Sequence, residues 1–235
     1  MSVIDNVAYF GSFMGNAYNI YAKHNGQVGF YIIDDKAALM LMGHYGHLCG
    51  KIKNDSELLD FLKLAEVTQL KTSGYVPLGY EAQGLPLLRS VKNISKQNPS
   101  DMTVNENPKI LDVAHSRCFA NSLVTIDDFY SDTCMRIARG YADIMSISCG
   151  GKTVSTAGVY SIDKNEAYIA AVATAKGYEG KGCASYLVST FARKYSDKRV
   201  ILLCDNETEP FYTRLGFERS GTVMSCKIKN KGLLK

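Results

Sequence analysis

Apolar and polar positions alternate in two different periods along the chain, and the period changes mark the elements. In the first half, "QVGFYIID" and "AALMLMG" read as two strands joined around Asp34, Asp35 and Lys36. "NDSELLDFLKLAEVTQLK" follows a helical period instead: Leu58, Leu62 and Ala65 share a face, and Asp55 or Ser56 is placed to cap the first turn. "GYVPLGYEAQGLPLLRS" is broken by Gly and Pro and reads as irregular.

The second half is more sharply patterned. "PKILDVAHSRCFA" predicts a helix opened by Pro108. "TIDDFYSDTCMRIARG" predicts another, with Thr125 and Asp128 in capping-box spacing and Gly140 as its stop. Three strands are expected at "ADIMSISC", "KTVSTAGVYSI" and "EAYIAAVAT", with Gly150-Gly151 and Asp163-Lys164-Asn165 as turns. A helix from about Lys181 to Tyr195, a buried strand "RVILLC", a short helix "EPFYTRLG" and a last strand "TVMSCKIK" complete the order. A mixed sheet with helices on it is an α/β (α+β) sandwich. The polar stretch from Ser95 to Lys109 reads as a linker or long loop. It divides the chain into a smaller α+β domain at 1–105 and a second domain at 106–235.

Composition narrows the function classes. Of the 235 residues, 46% are hydrophobic and 21% charged, as in ordinary globular proteins. A net charge of +4 without a dense basic tract does not suggest nucleic acid. The seven cysteines form no Cys-x-x-Cys pair, which argues against a zinc site or disulfide framework and for a reducing compartment. The N-terminus does not read as a signal peptide, and no apolar run approaches the roughly 20 residues needed to span a bilayer. A cytoplasmic protein with no metal and no membrane partner is the expectation.

Chemistry concentrates at "YEGKGCASYLVSTFARKYSDK". A Gly-rich turn that opens a helix points unpaired backbone N–H groups and the positive end of the helix dipole at an anion. A Walker A loop fails because Gly180-Lys181 continues to Gly182 and position 175 is Ala. A dinucleotide fingerprint fails because three meander strands precede the loop and Ser185 stands at its third small position. Residues 179–184, "EGKGCA", resemble instead the acetyl-CoA loop of the GNAT superfamily of N-acetyltransferases, Arg/Gln-x-x-Gly-x-Gly/Ala, with Gly182 and Ala184 in the small positions. Glu179 departs from the usual Arg or Gln. "FYTRLGF" resembles that family's closing motif. The resemblance covers about residues 108–230.

The resemblance implies a GNAT-type sandwich, with a mixed, mainly antiparallel sheet. It implies acetyl-CoA as cosubstrate and a primary amine, small molecule or peptide, as acceptor. It implies CoA contacts from Val172, Ala173 and Thr174 on the strand before the loop. Further contacts would come from Glu179, Gly180, Lys181, Gly182, Cys183 and Ala184 in the loop. Asn206 stands one residue from a CoA-binding Asn position that is here Asp205. Tyr212 is the implied acid for the departing thiolate. The base is less defined: the position of a frequent strand Glu is Tyr168, and Glu166 lies two residues earlier. His115 reads as structural and Cys183 as a space-filler. Asp127, Asp128 and Asp132 suit a cationic acceptor or a solvated helix face equally. The N-terminal half, compatible with a degenerate copy of the same fold, carries no recognised motif. A homodimer remains open. Two rival functions are a non-catalytic CoA or acetyl-CoA sensor and an acyltransferase for a longer acyl-CoA.

Overall fold

The computed structural model describes residues 7–22, 28–92, 94–116 and 125–229. The chain divides into two compact units: Met1–Leu87 with Cys204–Asn206 and Ser220–Lys235, and Leu88–Leu203 with Glu207–Arg219. The polar stretch at 95–109 falls inside the second unit.

The first unit opens with helix α1 (Phe10–Tyr21), which the sequence reading did not foresee. Strands β1 (Val28–Ile33), β2 (Ala37–Met42) and β3 (Tyr45–Gly50) form an antiparallel meander. Helix α2 (Asp55–Leu64) then crosses to β4 (Gln69–Thr72), which pairs parallel with β3. Asn54, not Asp55 or Ser56, caps α2: its side chain accepts from the Glu57 N–H at 3.2 Å. Strand β5 (Tyr80–Ser90) replaces the expected irregular segment. Gly84 and Pro86 do not break it, for separate reasons. A Cβ on Gly84 would lie 3.0 Å from the Thr222 side chain, so glycine permits close strand approach. Pro86 lacks an N–H but its carbonyl still accepts from Cys204 N at 3.2 Å. Leu39, Leu48, Leu58, Leu62, Leu70 and Tyr80 form the core between α2 and this sheet.

In the second unit, β6 (Thr103–Asn105) lies within the expected linker and pairs with β7 (Asp143–Cys149). Helix α3 (Ile110–Ser116) is shorter than the expected segment, whose end at 117–120 lies outside the described residues, as does Cys118. Helix α4 (Ile126–Ala138) starts as the pattern predicts: Thr125 Oγ1 accepts from the Asp128 N–H at 3.1 Å and donates to the Asp128 carboxylate at 2.7 Å. Strands β7, β8 (Lys152–Ile162) and β9 (Glu166–Thr174) form an antiparallel meander, and β10 (Arg199–Leu203) adds in parallel to β9. Helix α5 (Cys183–Lys194) connects β9 to β10. Helix α6 (Glu209–Thr213) and strand β11 (Phe217–Ile228) follow. The sheet is mixed and mainly antiparallel, with helices packed on it, as the pattern implied.

Candidate functional site

The site is built where β9 changes character. Its first four residues, Glu166–Ile169, pair with Arg199–Leu202 of β10. The register with β8 then slips, so that Gly158 faces Ala170 but Thr156 faces Ala173. Two residues of β9, Ala171 and Val172, thus oppose the single Ala157, which is a β-bulge. Ala171 takes φ +52°, a conformation costly for a residue with a Cβ. Two hydroxyls of β8 brace the bulge. Thr156 Oγ1 donates to the Ala171 carbonyl at 3.3 Å, and Ser155 Oγ donates to the Ala173 carbonyl at 3.0 Å. Ser155 Oγ also lies 2.9 Å from Thr174 Oγ1. The alanine run was legible in the sequence, but the positive φ at Ala171 and the Ser155–Thr156 brace were not.

Nine residues after Thr174, the chain enters α5 at Cys183. Gly180 (φ +73°) and Gly182 (φ +83°) both adopt left-handed backbone, and Gly182 is the residue before the helix. A Cβ on either would meet no atom within 4 Å, so the mouth of the turn is open. No side chain caps α5. The first intrahelical acceptor is the Gly182 carbonyl, bonded by Tyr186 N at 2.9 Å, so the N–H groups of Cys183, Ala184 and Ser185 lack an intrahelical partner. Such groups, together with the helix dipole, favour negative charge.

Glu179 is drawn back into its own loop: its carboxylate accepts from the Gly177 N–H at 2.6 Å. The Lys181 ammonium stands 4.7 Å from the centre of the Tyr178 ring. Cys183 is buried and its thiol donates to Met102 Sδ at 3.4 Å. Burial raises its pKa, as does Cys149, while its own backbone N–H and Lys181 pull the other way. A protonated, covered thiol is no nucleophile.

Tyr212 sits buried on α6, edge-on to Phe211 at 4.9 Å and to Phe217 at 6.2 Å. Tyr168, on the part of β9 that pairs with β10, is buried beside it. Burial raises the Tyr168 phenol far above its usual range, and Tyr212 adds to this. The Tyr168 phenol therefore stays protonated at neutral pH.

Other predicted residues lie elsewhere. Glu166 begins β9, 1% exposed, and its carboxylate accepts from Arg199 Nε at 2.8 Å and Nη2 at 2.6 Å. It stands five residues before Ala171, about 16 Å along an extended strand. Asn206 is exposed in the first unit, with its amide 3.5 Å from the Gly84 carbonyl. His115 is exposed on α3. Of the three helix aspartates, Asp128 serves the cap and Asp132 pairs with the buried Arg136 at 2.7 Å. Among the described residues no cluster of three or more His, Cys, Asp or Glu side chains could hold a metal. A cavity of about 580 Å³ lies in the first unit, lined by His44, Glu66, Glu81 and Lys227 among others, and contains none of the predicted site residues.

Residues 141–219 match the family model of the acetyltransferase (GNAT) domain. Over this segment the chain carries a GNAT acetyltransferase domain. Solved structures agree on the fold. A GCN5-related N-acetyltransferase from Kribbella flavida superposes with a TM-score of 0.65 at 13% identity, covering 94% of this chain and 95% of its own. A GCN5-related N-acetyltransferase from Sphaerobacter thermophilus gives 0.58 at 13% identity, covering 83% and 81%. A tandem GNAT protein from the clavulanic acid biosynthesis pathway gives 0.55 at 13% identity, covering 81% and 77%. At such identities the likeness is one of fold. No curated protein matches the chain. No helix among the described residues is long and apolar enough to cross a membrane.

Proposed function

We propose that this GNAT domain transfers the acetyl group of acetyl-CoA to a primary amine by direct attack, with both substrates held together. The observation that carries the reading is the open, left-handed Gly180–Gly182 turn placed directly after a bulged strand. The donor set fits CoA: three helix N–H groups without an intrahelical acceptor for a pyrophosphate, and backbone on Val172–Thr174 beyond the β10 pairing for an extended amide-bearing arm. Bound acetyl-CoA supplies an activated thioester that a neutral amine attacks.

The chain's own residues then have separate tasks. Cys183, Ala184 and Ser185 hold the pyrophosphate through backbone N–H, and Lys181 adds positive charge at the mouth. Val172, Ala173 and Thr174 orient the arm, and a backbone N–H beside the bulge polarises the carbonyl. Tyr212 gives its proton to the departing thiolate. A phenol is suited to this because its ordinary pKa near 10 lies close to a thiol's. We assign Glu166 to the ion pair with Arg199 rather than to proton abstraction, and deprotonation of the ammonium to solvent.

Isothermal titration with acetyl-CoA, followed by thiol release against a panel of amines, tests the reading. Binding with turnover supports it. Binding without turnover moves the assignment to a CoA sensor, and preference for a longer acyl chain moves it to a different acyltransferase. Absence of binding at millimolar ligand would sink all three.

A further inference from the structure

A second chemically unusual place lies in the first unit, on the face of the sheet that α1 covers. Lys71 of β4 is in register with His47 of β3 and Ser225 of β11, so these side chains share one face. The opposite face carries Leu48 and Leu70 into the α2 core. His47 is buried under three rings of the α1 start: Tyr9 OH lies 2.8 Å from His47 Nε2, and the Phe13 and Phe10 rings are 4.8 and 6.5 Å away. The Lys71 ammonium stands 6.0 Å from the Tyr9 ring centre. Lys71 is half-buried, so solvent still reaches it.

What is missing is a counter-charge. Among the described residues the Lys71 ammonium has neither an ion pair nor a hydrogen bond. On the face that β3 and β11 share with Lys71, the titratable residues in register around it are Tyr45, His47 and Lys227, and Tyr9 stands just before α1. None of these is a carboxylate. Burial of this kind lowers the amine's affinity for its proton. Tyr9 itself holds φ +70°, an unusual backbone for a bulky residue, and is 1% exposed.

We propose that Lys71 is a nucleophilic amine and a site of covalent acetylation by acetyl-CoA from solution. The neutral Nζ bonds to the thioester carbonyl carbon, the C–S bond breaks, and CoA leaves as the thiolate. The proton released from nitrogen passes to water. The product is an uncharged amide, which removes the desolvated charge from the site. This chemistry does not depend on the Gly180–Gly182 site.

The test uses the full chain incubated with acetyl-CoA across pH 6.5 to 9.5, with acetylation at each lysine followed by peptide mass spectrometry. The exposed Lys51 and Lys53 serve as internal references. At pH 7 Lys71 should be acetylated at least about fivefold faster than either, because a lowered pKa enlarges the neutral fraction. Its rate should level off at a lower pH. Acetyl phosphate, a smaller donor, should give the same ranking. The Tyr212→Phe variant should label Lys71 as fast as the unaltered chain, which separates this reaction from turnover at the GNAT site. Lys71 labelling no faster than Lys51 and Lys53 with both donors would overturn the proposal. So would its loss in the Tyr212→Phe variant, because self-catalysis would then be the source.

Discussion

Helices α1 and α5 both begin behind a residue with positive φ and without a side-chain cap, yet they end up opposite in character. Before α5 the residue is Gly182, and the space a side chain would take is empty. Before α1 it is Tyr9, whose ring fills that space against His47 and Phe10. One helix start leaves its N–H groups facing open space. The other spends its position on packing. The same backbone need, a left-handed turn into a helix, thus yields an open turn when glycine meets it and a buried aromatic cluster when tyrosine does. A helix N-terminus carries partial positive charge in both cases, so access decides which of them binds.

Five experiments press on this contrast, from the largest effect to the smallest. Under the acetyl-transfer reading, Tyr212→Phe should lower turnover by about 10²-fold, the low end for a lost general acid, with acetyl-CoA affinity almost unchanged. An unaltered rate in stopped-time thiol release would remove Tyr212 from its role. Gly182→Val should weaken acetyl-CoA binding by about tenfold or more, since a β-branched residue at φ +83° costs ~1–2 kcal/mol and its side chain enters the open mouth. Calorimetry reads the affinity, and an unchanged Kd would mean the ligand approaches elsewhere.

The remaining three are smaller. Glu166→Gln should destabilise the chain by about 1–3 kcal/mol in urea melts, because it leaves Arg199 without its carboxylate. It should leave turnover of the folded enzyme near that of the unaltered chain, and a large kcat loss would restore Glu166 as the base. Lys71→Met should raise Tm at pH 7. The sign follows from linkage: a lysine whose folded pKa is lowered binds more proton when unfolded, so stability rises with pH between the folded value and the ordinary one near 10.4. The gain from Lys71→Met should therefore shrink toward pH 10.5, and a gain independent of pH would contradict the desolvated charge. Lastly, Glu179→Gln should tighten acetyl-CoA binding by a few-fold, because it removes a negative charge while its amide oxygen can still accept from Gly177 N–H. Glu179→Ala, which removes the loop bond as well, should gain less, and equal gains would show the bond to be idle.

Legibility in the sequence followed locality. The elements of the second unit from α4 to β11 could be placed because their periods, caps and turn residues are encoded within a few positions, as at Thr125–Asp128 and Gly140. In the first unit β5 was hidden, since Gly84 and Pro86 look like breakers until Thr222 and Cys204 are seen beside them. β4 is only four residues long and β6 three, too short for a period to show. α1 was missed because its start, at Tyr9, carries no cap residue. The glycine turn was visible from spacing. Its compatibility with Glu179 was not, because that rests on a hydrogen bond between side chain and backbone.

By itself the sequence determined the order of elements from α3 to β11, the glycines that must turn left before α5, and the tyrosine that follows them in "FYTRLGF". These are properties of neighbouring residues, and local sterics and hydrogen bonding suffice to set them. Tertiary structure alone decided where charges and curvature fall. It bulged β9 at Ala171, tied Glu166 to Arg199, set Tyr168 beside Tyr212, and left Lys71 under an aromatic cover without a counter-ion among the described residues. Each of those outcomes depends on residues far apart in the chain that share one low-dielectric space, and no local pattern records which of them will meet.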